Sequence, residues 1–225
     1  MRPQNSKWRV PPKWTTPAMS KLCPACGGEK RIGSAEGYRA CRRCRGTGDL
    51  LEARGIRGRM ERMIFDTFEA DIPLAKTAVE KCHTWAMAPK GILILTGTLG
   101  TGKTHLAVSI IRQAGGRYIT LADMVAEIQV GYGHNALITD TEIVKALGAE
   151  PLLVLDEVGR QRPSEDARYQ IQRVMDERYI LERPTVLVSN LPPSEFGAVL
   201  GDHIADRLAE NHQTVRFEWP SWRRA

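Results

Sequence analysis

The sequence predicts an α/β protein, with a mostly parallel sheet covered by helices on both faces and a small cysteine-rich module in front of it. Three observations carry this reading. From Gly91 onward, short β-rich or apolar runs alternate with stretches long enough for a helix. One of those runs leads into a glycine-rich loop followed by a helical pattern. Ahead of them, two Cys-x-x-Cys pairs lie in a segment dense in glycine and basic residues.

Taken in order, residues 1–20 (MRPQNSKWRVPPKWTTPAMS) hold four prolines, two tryptophans and few aliphatics, which predicts a flexible, extended basic arm. Residues 21–50 hold four cysteines and six glycines, a composition suited to tight loops around a metal. Residues 51–88 read as largely helical with an interruption near Pro73, a linker that begins the second domain. The core of that domain spans 89–225. Its strand candidates are GILILTG (91–97), RYITL (117–121), PLLVLDEV (151–158), TVLVSN (185–190) and VRFEW (215–219). Apolar runs without alternation are expected of strands buried on both faces, as in parallel sheets.

The chain has 225 residues, 42% of them hydrophobic, which excludes wholesale disorder. Its net charge of +6 is an average over unlike parts. Residues 1–64 carry 15 Lys and Arg against 5 Asp and Glu, a net of +10; residues 65–225 carry 17 against 21, a net of −4. No run reaches the roughly 20 apolar residues of a membrane span. The polar, proline-rich N-terminus offers no signal-peptide core, so a cytoplasmic protein without a membrane partner is expected.

In that compartment the paired cysteines read as metal ligands. Cys23-Pro-Ala-Cys26 and Cys41-Arg-Arg-Cys44 are separated by 14 residues, close to zinc-ribbon spacing. Four thiolates make a closed tetrahedral Zn²⁺ site, which is structural rather than catalytic. A redox dithiol is the alternative. Bound thiolates and ion together add −2, so about +8 of the head's charge is left to attract phosphates. CRRCRGTG (41–48) also resembles the cysteine unit of J-type co-chaperones, but one copy without a J-domain signature does not carry that function over. Cys82 and His83 read as ordinary packing.

Residues 97–104, G-T-L-G-T-G-K-T, match G-x-x-x-x-G-K-[ST] between a strand and a helical pattern running from Thr104 to Gln113. Gly97, Gly100 and Gly102 let the backbone curl so that successive N–H groups face phosphate oxygens. The expected nucleotide-binding set is Gly97, Thr98, Leu99, Gly100, Thr101, Gly102, Lys103, Thr104 and His105. Lys103 suits the β- and γ-phosphates and Thr104 a Mg²⁺ ion. LLVLDE (152–157) is an apolar strand ending in two carboxylates. Asp156 is expected in the Mg²⁺ shell, with Glu157 polarising the attacking water. Asn190, at the end of TVLVSN, either orients that water or senses the γ-phosphate, or else begins the turn before Pro192-Pro193.

With GTLGTGKTHLA, LLVLDEVG, PTVLVSNLPPSEF, LGDHIADRLAE and VRFEWPSWR in that order, the chain from about Phe65 to Arg224 resembles a known family. It is similar to the AAA+ helicase loaders of bacterial replication, the DnaC type, and to IstB-like transposition ATPases. The resemblance implies a P-loop AAA+ core without a separate helical lid. It implies that Arg207, in the D-R-L block, is a finger toward ATP on a neighbouring subunit of a homo-oligomer. Arg223 matches an arginine that contacts nucleotide in cis. His203 stands where loaders often carry a second arginine. The family's single-stranded DNA contacts correspond roughly to Ala122–Gly148, including Gln129, Tyr132 and His134.

The expected function is therefore an ATPase, with ATP and Mg²⁺ at the loop and Zn²⁺ in the head. It delivers or opens a replicative DNA helicase on single-stranded DNA. Trp8 and Trp14 suit either a groove on a protein or stacking on bases, and residues 1–50 are read as the helicase grip rather than a DNA contact. The rivals are an IstB-like transposition helper and a non-enzymatic zinc adaptor whose nucleotide site is a switch.

Overall fold

The computed structural model describes residues 50–133, 136–210 and 212–222, and the backbone of 31–34 and 37–40. Strands β1 (Arg31–Ser34) and β2 (Gly37–Ala40) pair antiparallel, with Arg31 opposite Ala40 and Ser34 opposite Gly37. After a short α1 (Leu50–Ala53) come two 3₁₀ turns, Gly58–Arg62 and Phe65–Thr67, and then α2 (Pro73–Met87). The region 51–88 is thus less helical than its composition suggests. Gly55 and Gly58 adopt φ of 78° and 58°, which ends α1 and prevents a continuous helix. Pro73 starts α2 instead of interrupting one, because its missing N–H costs nothing at the first helical position.

The remaining elements alternate: β3 (Ile92–Gly97), α3 (Lys103–Ala114), β4 (Arg117–Thr120), α4 (Leu121–Val130), α5 (Asp140–Ala149), β5 (Leu153–Val158) and α6 (Glu165–Ile180). Then follow β6 (Thr185–Ser189), α7 (Phe196–Leu200), α8 (Asp202–Glu210) and β7 (His212–Phe217). The five strands from β3 to β7 form one parallel sheet in the order β4-β5-β6-β3-β7. The last strand begins at His212 and ends at Phe217, so Glu218 and Trp219 leave the sheet rather than extend it.

Both faces are covered, as the apolar runs require. On one, Leu93, Leu95, Val154, Val186, Val188, Val215 and Phe217 pack against α2 and α3. On the other, Ile94, Leu153, Leu155 and Leu187 pack against α4 to α8. Residues from Leu51 to Ala86 share the first of these cores. The helices between β6 and β7 lie on the sheet through Phe196, Leu200, Ile204 and Leu208. Three helix starts carry side-chain caps: Thr120 on α4, Thr139 on α5 and Ser164 on α6. Helix α3 has none. Its first N–H groups are left for a ligand at the C-terminal edge of the sheet.

Candidate functional site

The loop between β3 and α3 is built by its glycines. Gly97, Gly100 and Gly102 have φ of 142°, 77° and 95°, a region that side chains disfavour. At two of them there is also no room: a Cβ on Gly97 would lie 2.4 Å from the Phe217 carbonyl oxygen, and one on Gly102 would lie 2.5 Å from the Phe68 ring. Lys103 is 7% exposed and folds back into the loop. Its Nζ donates to the carbonyls of Gly97 at 2.7 Å and Thr98 at 2.6 Å. Thr101 Oγ1 donates to the Thr98 carbonyl at 2.8 Å. Leu99 is 69% exposed at the loop's crest.

Next to the loop, β5 delivers Asp156, which is buried. Thr104 Oγ1 and the Tyr118 hydroxyl both donate to Asp156 Oδ2 at 2.7 Å, and the Glu157 N–H donates to Oδ1 at 2.6 Å. Burial first, then the Asp156 charge, push the Tyr118 phenol far up, so it remains a donor at neutral pH. Thr104 and Asp156 thus form a pair of hard oxygen donors beside the loop. That pair fits Mg²⁺, which binds one or two protein oxygens and completes its shell with water and phosphate. Glu157 sits at φ 60°, an uncommon conformation for a residue with a side chain, and is exposed. Its carboxylate is held by Arg160 at 2.6 Å. One strand over, β6 ends with Ser189, whose hydroxyl donates to the Val158 carbonyl at 2.6 Å, and leaves Asn190 exposed beside Leu191.

Other expected residues lie elsewhere. Arg207, on α8, pairs with Asp176 and stacks 4.5 Å from the centroid of Tyr179. It lines a cavity of about 590 Å³ with Lys90, Ile92, Arg183 and Thr185. Ile92 and Thr185 open β3 and β6, so this cavity is at the strand ends opposite to the loop. Gln129 and Tyr132 both donate to Asp166, at 3.3 Å and 2.9 Å. Cys82 is fully buried, and His83 meets Phe65 edge to face. Cys23, Cys26, Cys41, Cys44, His134 and Arg223 lie outside the described residues. Among the described residues, no helix is long and apolar enough to cross a membrane.

Tyr118, Trp219 and Trp222 are neighbours of the site that their places in the sequence do not announce. Tyr118 braces Asp156, a role that nothing near it in the chain announces. His105, one of the expected nucleotide-binding residues, turns its Nε2 to the Ile64 carbonyl at 2.9 Å, which requires an Nε2–H tautomer, and its ring meets Phe68. Trp219 and Trp222 lie against the loop itself. Both belong to the F-E-W-P-S-W motif, whose residues alone do not announce this contact.

The parallel sheet, the uncapped α3 and the loop define a P-loop nucleotide-binding core of the AAA+ type. Residues 66–225 match the model of the IstB-like ATP binding protein family, and the chain belongs to that family. Among curated relatives, the replicative helicase loader DnaC of Escherichia coli (strain K12) is 28% identical over 178 residues, covering 75% of this chain and 72% of that one. The DnaC of Buchnera aphidicola subsp. Acyrthosiphon pisum is 30% identical over 141 residues. That match covers 58% of this chain and 55% of its relative, so the chain aligns with little more than half of the Buchnera protein. A crystal structure of the DnaC helicase loader superposes with a TM-score of 0.64 at 21% identity, covering 71% of this chain and 99% of that one. A DnaI structure gives 0.59 at 18% identity, with 70% and 92% covered. At these identities the structures establish the fold.

Proposed function

We propose that the protein is an ATP-hydrolysing loader that delivers or opens a ring-shaped replicative helicase on single-stranded DNA. The observation that carries the ATPase half is the 2.7 Å contact between Thr104 and Asp156 beside a loop already occupied by Lys103. The loader half is supported by relatives that are named replicative helicase loaders.

In this reading the loop amides and Lys103 bind the phosphates, with Lys103 exchanging its two carbonyl partners for phosphate oxygens. Mg²⁺, held by Thr104 and Asp156, neutralises phosphate charge when bound. Glu157 takes the proton of the attacking water once it leaves Arg160, and Asn190 orients that water. Arg207 acts on a neighbouring copy's nucleotide. Strand β3, six residues and roughly 16–20 Å long, separates it from its own phosphate loop beyond Gly97, which is too far for one side chain. Tyr179 and Ile180, 51% and 72% exposed beside its cavity, supply apolar surface for that contact.

Residues 1–50 act as a zinc-stabilised grip on the helicase, with Cys23, Cys26, Cys41 and Cys44 as ligands. The β1–β2 pair, which fills the interval from Arg31 to Ala40 between the two cysteine pairs, is consistent with a ribbon. The residue-by-residue roles are tested by ATP turnover of the full chain. Lys103→Ala is expected to lower turnover by more than about 100-fold. Turnover that survives it removes the assignment. Capture of the host's replicative helicase by the full chain, lost on replacing the four cysteines by serine, tests the loader reading. Binding of a transposase in place of the helicase overturns it in favour of an IstB-like transposition helper.

A further inference from the structure

The C-terminal F-E-W-P-S-W segment is the motif that the proposed chemistry leaves unused. We propose that residues 217–222 are a splint that aims the backbone N–H groups of Thr101 and Gly102 at the nucleotide's phosphates, with Trp219 and Trp222 as positioning residues. The inference rests on the reading of the loop as an ATP site.

Three hydrogen bonds join splint and loop. Trp222 N–H donates to the Gly100 carbonyl at 3.2 Å, Trp219 Nε1–H donates to the Thr101 carbonyl at 3.2 Å, and Thr98 Oγ1 donates to the Trp219 carbonyl at 3.3 Å. The first two fix peptide planes. In a trans peptide the C=O of one residue and the N–H of the next point in opposite directions, and no described peptide bond is cis. A Gly100 carbonyl drawn toward the splint therefore turns Thr101 N–H away from it. A Thr101 carbonyl held by the indole does the same for Gly102 N–H. Two successive amides turned to one side make the anion-binding concavity that a phosphate needs.

The splint is itself anchored. Phe217 is paired with Gly97 at the end of β7, so the strand that carries the splint is in register with the strand that carries the loop. From there the rings of Phe217, Trp219, Trp222, Phe68 and His105 form a continuous row, with centroids 4.9 to 5.9 Å apart. Trp219 is 4% exposed, and Trp222 lies 3.4 Å from where a Gly102 Cβ would be. An ordinary core tryptophan needs only a buried ring and any acceptor for its N–H. This one spends its N–H on a loop carbonyl whose orientation matters for binding.

Trp219→Phe in the full chain removes the N–H and keeps an aromatic ring. The readout is displacement of a fluorescent ATP analogue by ADP and by AMP. Loss of one neutral hydrogen bond predicts that ADP binds about fivefold more weakly, while AMP, which lacks the β-phosphate, changes by less than about twofold. Trp85→Phe is the control: it removes an indole bond to the Lys90 carbonyl far from the loop and should leave both affinities unaltered. Trp222→Leu keeps the backbone N–H but not the ring that anchors it, and should weaken ADP by about two- to threefold. Wild-type ADP affinity in folded Trp219→Phe, or equal weakening of ADP and AMP, overturns the splint. If Trp219→Phe does not fold, Trp222→Leu decides, and unchanged ADP affinity there overturns it. Failure of the wild-type chain to bind ADP would sink the ATP-site reading itself.

Discussion

The two ends of the central sheet are organised on different principles. At the end where the strands finish, the buried charged side chains and several loop carbonyls have short partners inside the molecule. Lys103 has two carbonyls, Asp156 accepts three donors, and the loop carbonyls are tied to Trp219 and Trp222. At the end where the strands begin, Arg178 is buried and bonded to the Leu147, Gly148 and Glu150 carbonyls and to Thr185, all neutral acceptors. Burial, then the nearby charge of Arg183, lower its pKa to about 9. Above it, Arg207 is held by one carboxylate and one ring, half open to solvent, among further cations and exposed apolar residues. The first end is a site whose donors and acceptors are held in place by the protein's own contacts. The second mixes cations with Glu182, Glu210 and exposed apolar side chains around a cavity, and its arginines are held less uniformly.

Disabling each end in a different subunit tests whether the two ends meet. Glu157→Gln and Arg207→Ala are each expected to lower ATP turnover by about 100-fold. Mixed in equal amounts, a quarter of head-to-tail contacts should join an intact loop end to an intact Arg207, so turnover should recover to about a quarter of wild type. A mixture as inactive as its parents would mean that the two ends never meet.

A smaller effect tests how far the loop end is preset. Tyr118→Phe deletes one of three donors to Asp156 without changing the core's shape. The Mg²⁺ concentration that half-saturates turnover should rise about fivefold, with stability lower by about 1 kcal/mol. An unchanged Mg²⁺ dependence would mean that Thr104 and the Glu157 amide orient the carboxylate unaided.

The smallest concerns His105. Burial holds its pKa below the ordinary 6.5, and its contact with the Ile64 carbonyl only partly opposes this. The unfolded chain therefore binds a proton more readily than the folded one. This stability is fully present above the unfolded pKa and is lost as pH falls through it toward the lower folded value. Between pH 7.5 and 5.5 the wild type should lose roughly 2–4 °C more in Tm than His105→Gln, whose amide can still donate to Ile64. Parallel curves would remove His105 from the account.

What could be read in the sequence follows from how local the signal is. The strand, loop and helix from Ile92 to Ala114 are contiguous, and their glycines and apolar run announce the geometry without any other part of the chain. The carboxylates at 156 and 157 end an apolar strand, which is again local. Tyr118 was invisible because its partner is 38 residues away and a tyrosine in a strand is ordinary. The hydrogen bond from Trp219 crosses 118 residues, so a recognised motif gave no hint of where its indole would go. Residues 51–88 are less helical than their composition suggests because composition records helix formers but not the positive φ of Gly55 and Gly58. Resemblance alone points to Arg207; the fold adds that it stands at the opposite ends of the strands from the phosphate loop.

The pairing of Phe217 with Gly97 has a consequence for the order in which the protein comes into being. During synthesis the loop at 97–104 leaves the ribosome long before the segment that braces it, and β3 waits for one of its two neighbouring strands until residue 217 has been made. A nascent or truncated chain can have the complete nucleotide motif and still lack its brace. Full affinity for the nucleotide would then arrive only once residues 217–222 have folded back onto the loop.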